Sequence, residues 1–229
     1  MMLADLIKVI FKKDKVAKKS SSRGSDTLAY WQSRARKFGK RAVINVDHPV
    51  DQFDEIKNRD KNVIFPHLKK FLTGRENLIL DFGCGLGRFT NELASVAKCK
   101  AVGVDPTKEL IKLAPPAKHV EYFVMKKGKI PLSAESVDLI WIYAVLGCIP
   151  DQSLNQTFME LNRVLKKNGV LFLIENTTAA NNSAYYTFRS LKEYLKVVPF
   201  ASMKHQHDYF DVGKGFEEKF SIMAGYKKN

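Results

Sequence analysis

The chain has 229 residues, 45% of them hydrophobic and 11% aromatic, with a formal charge of +14. That length suits one core of roughly 150–200 residues with an appendage, and the apolar content excludes a disordered chain. The longest apolar run, Leu139–Ile149, falls short of the roughly 18 residues a membrane span needs.

The charge is unevenly placed. Residues 1–41 hold twelve Lys and Arg against three acids, which leaves the other 188 residues at only +5. A protein that tracks a phosphate backbone carries its charge on the folded binding face, so this distribution argues against nucleic acid as the substrate. Cys84, Cys99 and Cys148 are odd in number, with neither CxxC spacing nor a histidine at zinc-ligand spacing. They read as reduced thiols of a cytoplasmic protein with no metal site. Met1–Phe11 is apolar, but Asp5 and Lys8 interrupt it and no small-residue cleavage site follows, which argues against a signal peptide.

In chain order, residues 1–24 form a basic amphipathic extension. Leu3, Leu6, Ile7, Ile10 and Phe11 recur at helical spacing, and lysines and Ser20–Ser22 follow. Such a segment would touch an anionic membrane surface or a partner protein, or pack as a plain terminus. Residues 25–74 read as a helical lid. One helix runs from a cap at Asp26 to Phe38 and stops at Gly39; a second runs from about Asp60 to Phe71, with Gly74 as its stop. From 75 to 229 short apolar strands alternate with amphipathic segments. Strands are expected at Leu78–Leu80, Ala101–Val104, His119–Val124, Val137–Tyr143 and Val170–Ile174, with helices at Arg88–Ala97, Lys108–Leu113 and Gln152–Lys166. This order predicts an α/β fold, a doubly wound parallel sheet with helices on both faces. After a helix around Tyr186–Leu195, Ser202–Asp211 and Glu218–Tyr226 flank the Gly213–Gly215 turn. The seven-stranded, Rossmann-like sheet therefore ends in an antiparallel hairpin.

The segment richest in chemistry is Leu78–Thr90, where an apolar strand runs into Asp81, then Gly83, Gly85 and Gly87, then a helix. Glycines let a backbone turn sharply and approach a ligand closely, and a helix N-terminus offers amides to negative charge. A nicotinamide enzyme would carry its third glycine at position 88; that position is Arg88. S-adenosylmethionine (SAM) has no pyrophosphate, only an ammonium, a carboxylate, a sulfonium and an adenosine. Asp81 suits the ammonium, while loop amides and Arg88 suit the carboxylate. Twenty residues past Gly85 a buried strand ends at Asp105, followed by Pro106, where an acid accepts from ribose hydroxyls.

With these motifs the chain resembles the class I SAM-dependent methyltransferases. The likeness runs from Leu78 to the hairpin and takes in Asp81, the three glycines, Asp105, the strand Ser136–Tyr143 and the segment Leu165–Ile174. It implies SAM as cofactor. The stretch from Tyr30 to Val43 is similar to the lid helix of small-molecule members, among them enzymes that modify sugars of bacterial surface polysaccharides. By that likeness Tyr30 and Arg34 close over the cofactor and exclude water. The family often has an acid or polar residue after strand three; here Met125 stands there, so adenine leans on its packing.

A hydroxyl acceptor needs a base and an amine needs less help. Candidates at the carboxyl ends of strands four and five are Tyr143, on the cofactor side, and Glu175, as catalytic base. His207 is a second catalytic candidate, since His205 and His207 share one strand face. Tyr186 and Arg189, in the loop beyond, would hold the acceptor. The tetrapeptide Tyr143–Leu146 stands where methyltransferases of base amines carry Asn/Asp-Pro-Pro-Tyr, and no Pro-Cys dipeptide serves cytosine chemistry. The expected activity is methyl transfer to oxygen or nitrogen of a small molecule such as a sugar or glycan precursor, in polysaccharide biosynthesis. An RNA methyltransferase with residues 1–41 as a basic arm, and a non-catalytic docking protein, are the alternatives. The expected location is cytoplasmic, at the membrane surface if residues 1–24 dock there.

Overall fold

Five apolar stretches rich in Val, Ile and Leu form the parallel part of the sheet. These are β1 (Leu78–Phe82), β2 (Lys100–Asp105), β3 (Val120–Val124), β4 (Val137–Tyr143) and β5 (Leu165–Asn176). The computed structural model describes residues 23–213 and 215–228. The extension expected to meet a membrane or partner lies mostly at positions 1–22, outside the described residues. Among the described residues the strand order is β3-β2-β1-β4-β5-β7-β6, with β6 (Ala201–Gly213) and β7 (Phe216–Lys227) antiparallel. The chain winds outward from β1 through β2 and β3, then returns to the other side of β1 for β4. That reversal opens a crevice at the carboxyl ends of β1 and β4, the place where doubly wound sheets bind ligands.

Helices cover both faces. On one lie α2 (Phe53–Leu68) and α3 (Thr90–Ala97), whose Ile64, Phe65, Leu68 and Leu93 pack on Ile79, Leu139, Trp141 and Phe172. On the other lie α5 (Asp151–Val164) and α6 (Leu191–Val197), with Leu161, Val164 and Tyr194 against Leu80, Ile140 and Leu173. Two further helices, α1 (Arg23–Phe38) and the short α4 (Lys108–Ile111), share a small cluster of Ala35, Ala42 and Leu110 beside the crevice. Within 25–74, therefore, α1 and the segment after it cover the crevice, whereas α2 is part of the main core. No described helix is long and apolar enough to cross a membrane.

Some boundaries differ from expectation for local reasons. Helix α1 already includes Arg23, the first described residue, ahead of the cap expected at Asp26. Helix α2 starts at Phe53, seven residues before the expected Asp60, with Asp54 and Glu55 favourably placed in its first turn. The helix expected from Tyr186 starts instead at Leu191, where Ser190 and Glu193 form a reciprocal capping box. Residues 183–190 are left as a loop over the crevice edge.

Candidate active site

Glycine loop and strand end are tied together before any ligand is considered. The amides of Gly83 and Cys84 donate to the Val104 carbonyl at 2.8 and 3.1 Å, and the Gly85 amide donates to Asp105 Oδ2 at 3.0 Å. Gly87 N donates to Cys84 O at 2.9 Å. The loop amides expected to meet a carboxylate are thus spent on β2 and on the loop itself. Asp105 also accepts from the Thr107 amide at 2.7 Å, and burial raises its pKa. Pro106, next to it, is exposed. Met125 donates its amide to the Asp105 carbonyl at 3.0 Å and packs on the core from the β3 side.

Asp81 is buried on the α3 side and accepts from Thr90 Oγ1 at 2.6 Å. Among the described residues it has no cationic partner. Burial is the main cause that pushes its carboxyl up to about 7, and the charges of Asp105 and Glu92 add to it. Arg88 is buried too. Its Nη2 donates to Asp60 Oδ2 at 2.5 Å, and its guanidinium lies over the rings of Phe89 and Tyr143. Its Nε is buried without a hydrogen-bond partner, a costly state for a charged group. Asp81 and Arg88 thus leave one buried carboxyl without a cation and one buried donor without an acceptor, which fits the ammonium and carboxylate of SAM. These two residues would hold its amino-acid end, with Asp105 toward the ribose.

A linkage prediction follows from Asp81. Its folded pKa lies above the unfolded value, so between about pH 4 and 7 the folded state binds more protons than the unfolded one. That contribution to stability is present at low pH and lost as pH rises through 7. Glu175 and Glu218, both pushed up to about 7 by burial first, act in the same direction. His67, pushed down to about 4 mainly by burial, opposes them below its ordinary pKa. Between pH 6.5 and 7.5 the unliganded melting temperature is expected to fall, and less steeply in Asp81→Asn. Thermal melts across this window check it, and parallel slopes for both proteins would refute it.

The N-terminal segment runs across the crevice as a strap. Arg34 clasps its start, donating to the carbonyls of Ala42 at 2.8 Å and Ile44 at 3.1 Å and to Tyr30 Oη at 3.3 Å. Val43 lies on Gly85, Cγ1 only 2.9 Å from where a β-carbon would stand. Further along, His48 meets Asp211 at 3.2 Å and packs edge-on against Phe216 at the hairpin tip. Tyr30 stacks on Tyr185 at 4.1 Å, which brings the expected lid to the expected acceptor loop.

Other expected residues have different work. Glu175 is fully buried; its Oε1 accepts from the amides of Val145 and Leu146 at 3.0 and 2.8 Å, and Oε2 accepts from Tyr194 Oη at 3.3 Å. In this structure it holds the turn after β4, a structural task beside the base role expected from the sequence. Arg189 is buried, donating to the Leu146 carbonyl at 3.1 Å and pairing with Asp151, so it braces that same turn instead of holding an acceptor. The Tyr186 ring lies on Gly147, 2.3 Å from where a β-carbon would stand. Tyr143 Oη donates to Asp60 Oδ2 at 2.9 Å and accepts from Tyr209 at 3.3 Å. Burial and neighbouring Asp60 push its phenol well up. His207 stacks on His67 at 4.2 Å on the outer strand. Four strand spacings, about 19 Å, separate that strand from β1, so His207 is not placed for the reaction.

Asp60 went unnoticed in the sequence, although a signal existed. It lies four residues after Ile56 and four before Ile64, on the buried stripe of α2, where an acid is rare without a partner.

A methyltransferase-domain family model matches residues 80–173. The rat N-terminal Xaa-Pro-Lys N-methyltransferase 1 is 28% identical over 155 residues, covering 63% of this chain and 70% of that protein. The fold is shared with geranyl diphosphate C-methyltransferase of Streptomyces coelicolor, at a TM-score of 0.66, 14% identity, and coverage of 93% of this chain and 100% of that one. Haemonchus contortus phosphoethanolamine N-methyltransferase 1 gives a TM-score of 0.67 at 16% identity, covering 90% of this chain and 50% of that one. The matched core, the sheet order and the glycine loop make the chain a SAM-dependent methyltransferase with the class I fold.

Proposed function

We propose that the enzyme transfers the methyl group to an amine nitrogen. SAM brings the methyl already activated on a sulfonium, so the protein's task is to align acceptor nitrogen, methyl and sulfur. The observation that carries the choice of nitrogen is the engagement of Glu175. The acid best placed by sequence to take a proton from a hydroxyl is fully buried and accepts from two amides and a phenol. Tyr143, its neighbour at the β4 end, has its phenol pushed up by burial and bonded to Asp60. A neutral amine attacks through its lone pair and needs no base before transfer. The likeness to an N-terminal N-methyltransferase supports this reading, and a sugar acceptor enters it as an amino sugar.

The test is a panel of acceptors incubated with SAM, with products read by mass spectrometry. It holds an Xaa-Pro-Lys peptide, phosphoethanolamine, an amino sugar and the matching neutral sugar. Methylation confined to amine-bearing acceptors is expected. Methylation of the neutral sugar would overturn the proposal and restore hydroxyl chemistry.

A further inference from the structure

Asp60 is almost wholly buried, yet three side chains bond to its carboxylate: Arg59 beside it, and Arg88 and Tyr143 from distant parts of the chain. Its Oδ2 accepts from Arg88 Nη2 at 2.5 Å and from Tyr143 Oη at 2.9 Å. Its Oδ1 accepts from Arg59 Nη2 at 3.0 Å and Nε at 3.3 Å. Arg59 in turn pairs with Asp211, which meets His48 of the strap. Two arginines thus share one buried carboxylate. Burying such a charge is costly unless it is paired and hydrogen-bonded, and the two arginines and the Tyr143 phenol do that here.

We propose that Asp60 is a positioning residue for the cofactor's amino-acid end: it fixes Arg88 so that the free Nε faces the carboxylate of SAM. Three features carry this. An Arg88 side chain without Asp60 has several rotamers, and its planar fork binds a carboxylate well only when oriented. Asp60 takes Nη2 and leaves the Arg88 Nε buried with no acceptor among the described residues. The guanidinium lies 4.8 and 5.3 Å from the ring centres of Phe89 and Tyr143, and Asp60 also holds Tyr143 in that position. Asp60 itself need not touch the ligand. Its effect is confined to the part of the cofactor that Arg88 meets, so the adenosine end is insensitive to it.

This inference rests on the assignment of Arg88 to the cofactor carboxylate, and the test separates the two. Calorimetry is run with S-adenosylhomocysteine, which keeps the amino-acid end, and with methylthioadenosine, which lacks it. The wild-type protein is expected to prefer S-adenosylhomocysteine clearly. Equal affinity would mean that the loop does not grip the amino-acid end, and the Arg88 assignment itself would fall. Given a wild-type preference, Asp60→Asn is expected to weaken S-adenosylhomocysteine about tenfold, the loss expected for a charge-assisted hydrogen bond. Methylthioadenosine binding should stay within about twofold, which also reports that the variant is folded. Asp60→Glu keeps the charge both arginines need but displaces the carboxylate by one methylene, and serves if the Asn variant does not fold. A folded variant of either kind that keeps the full wild-type preference overturns the proposal. So does one that weakens both ligands equally, since a merely structural role would do that.

Discussion

Gly87→Ala is expected to abolish measurable SAM binding and to destabilise the protein by about 2–5 kcal/mol. Two separate costs add. Gly87 has φ +76°, a left-handed conformation that costs a residue with a β-carbon about 1–2 kcal/mol. Its added β-carbon would also stand 2.3 Å from the Tyr122 hydroxyl and 2.6 Å from the ring, an overlap that forces the loop or the ring to move at about 1–3 kcal/mol. Because Gly83 and Cys84 are bonded to β2 and Gly85 to Asp105, the loop cannot shift alone. Urea denaturation and calorimetry read the two effects. Adding Tyr122→Ala to the variant should recover the steric part and leave the backbone part. A single variant as stable as the parent would mean that the turn is far looser than its hydrogen bonds indicate.

Glu175 gives the second large effect, and its two substitutions should behave differently. Glu175→Ala strands the amides of Val145 and Leu146 and the Tyr194 hydroxyl inside the protein. Unsatisfied groups of this kind cost about 1–3 kcal/mol each, so a loss of about 3–5 kcal/mol in total is expected. Glu175→Gln keeps an acceptor for the turn, and its cost should be about 1 kcal/mol. Its kcat should stay within a few-fold of the parent. A general base would instead lose about 10²–10⁴-fold on that replacement. Melting curves and steady-state rates on the two variants therefore distinguish a brace from a base, and a large kcat loss in a stable Gln variant would return Glu175 to the chemistry.

The donor half of the site was readable because its logic is local. Asp81, the three glycines and Asp105 fall on one strand–loop–helix–strand unit, so spacing alone places them together. The rest depends on what the chain brings back from a distance. Arg88 could be picked as a cofactor residue, but not the partner that orients it, because Asp60 comes from a helix 28 residues upstream. Glu175 stands out in the sequence by its position at a strand end, and Arg189 by its place in the loop beyond. Their function was decided by the turn after β4, which folds back on both of them. His207 shares a strand face with His205 as expected, yet the sheet order sets that face at the outer edge.

The position of β7 has a consequence for synthesis. The final strand in sequence lies inside the sheet, between β5 and β6. While the ribosome is still making residues 216–227, the nascent chain already carries β5 with an unpaired edge, and β6 has nothing to join. At roughly 5–20 residues per second, that edge stays open to other chains until β7 has cleared the exit tunnel. The glycine loop can assemble early on β1, β2 and β4. The hairpin tip that receives His48 exists only after β7 has emerged, so the crevice gains its cover last.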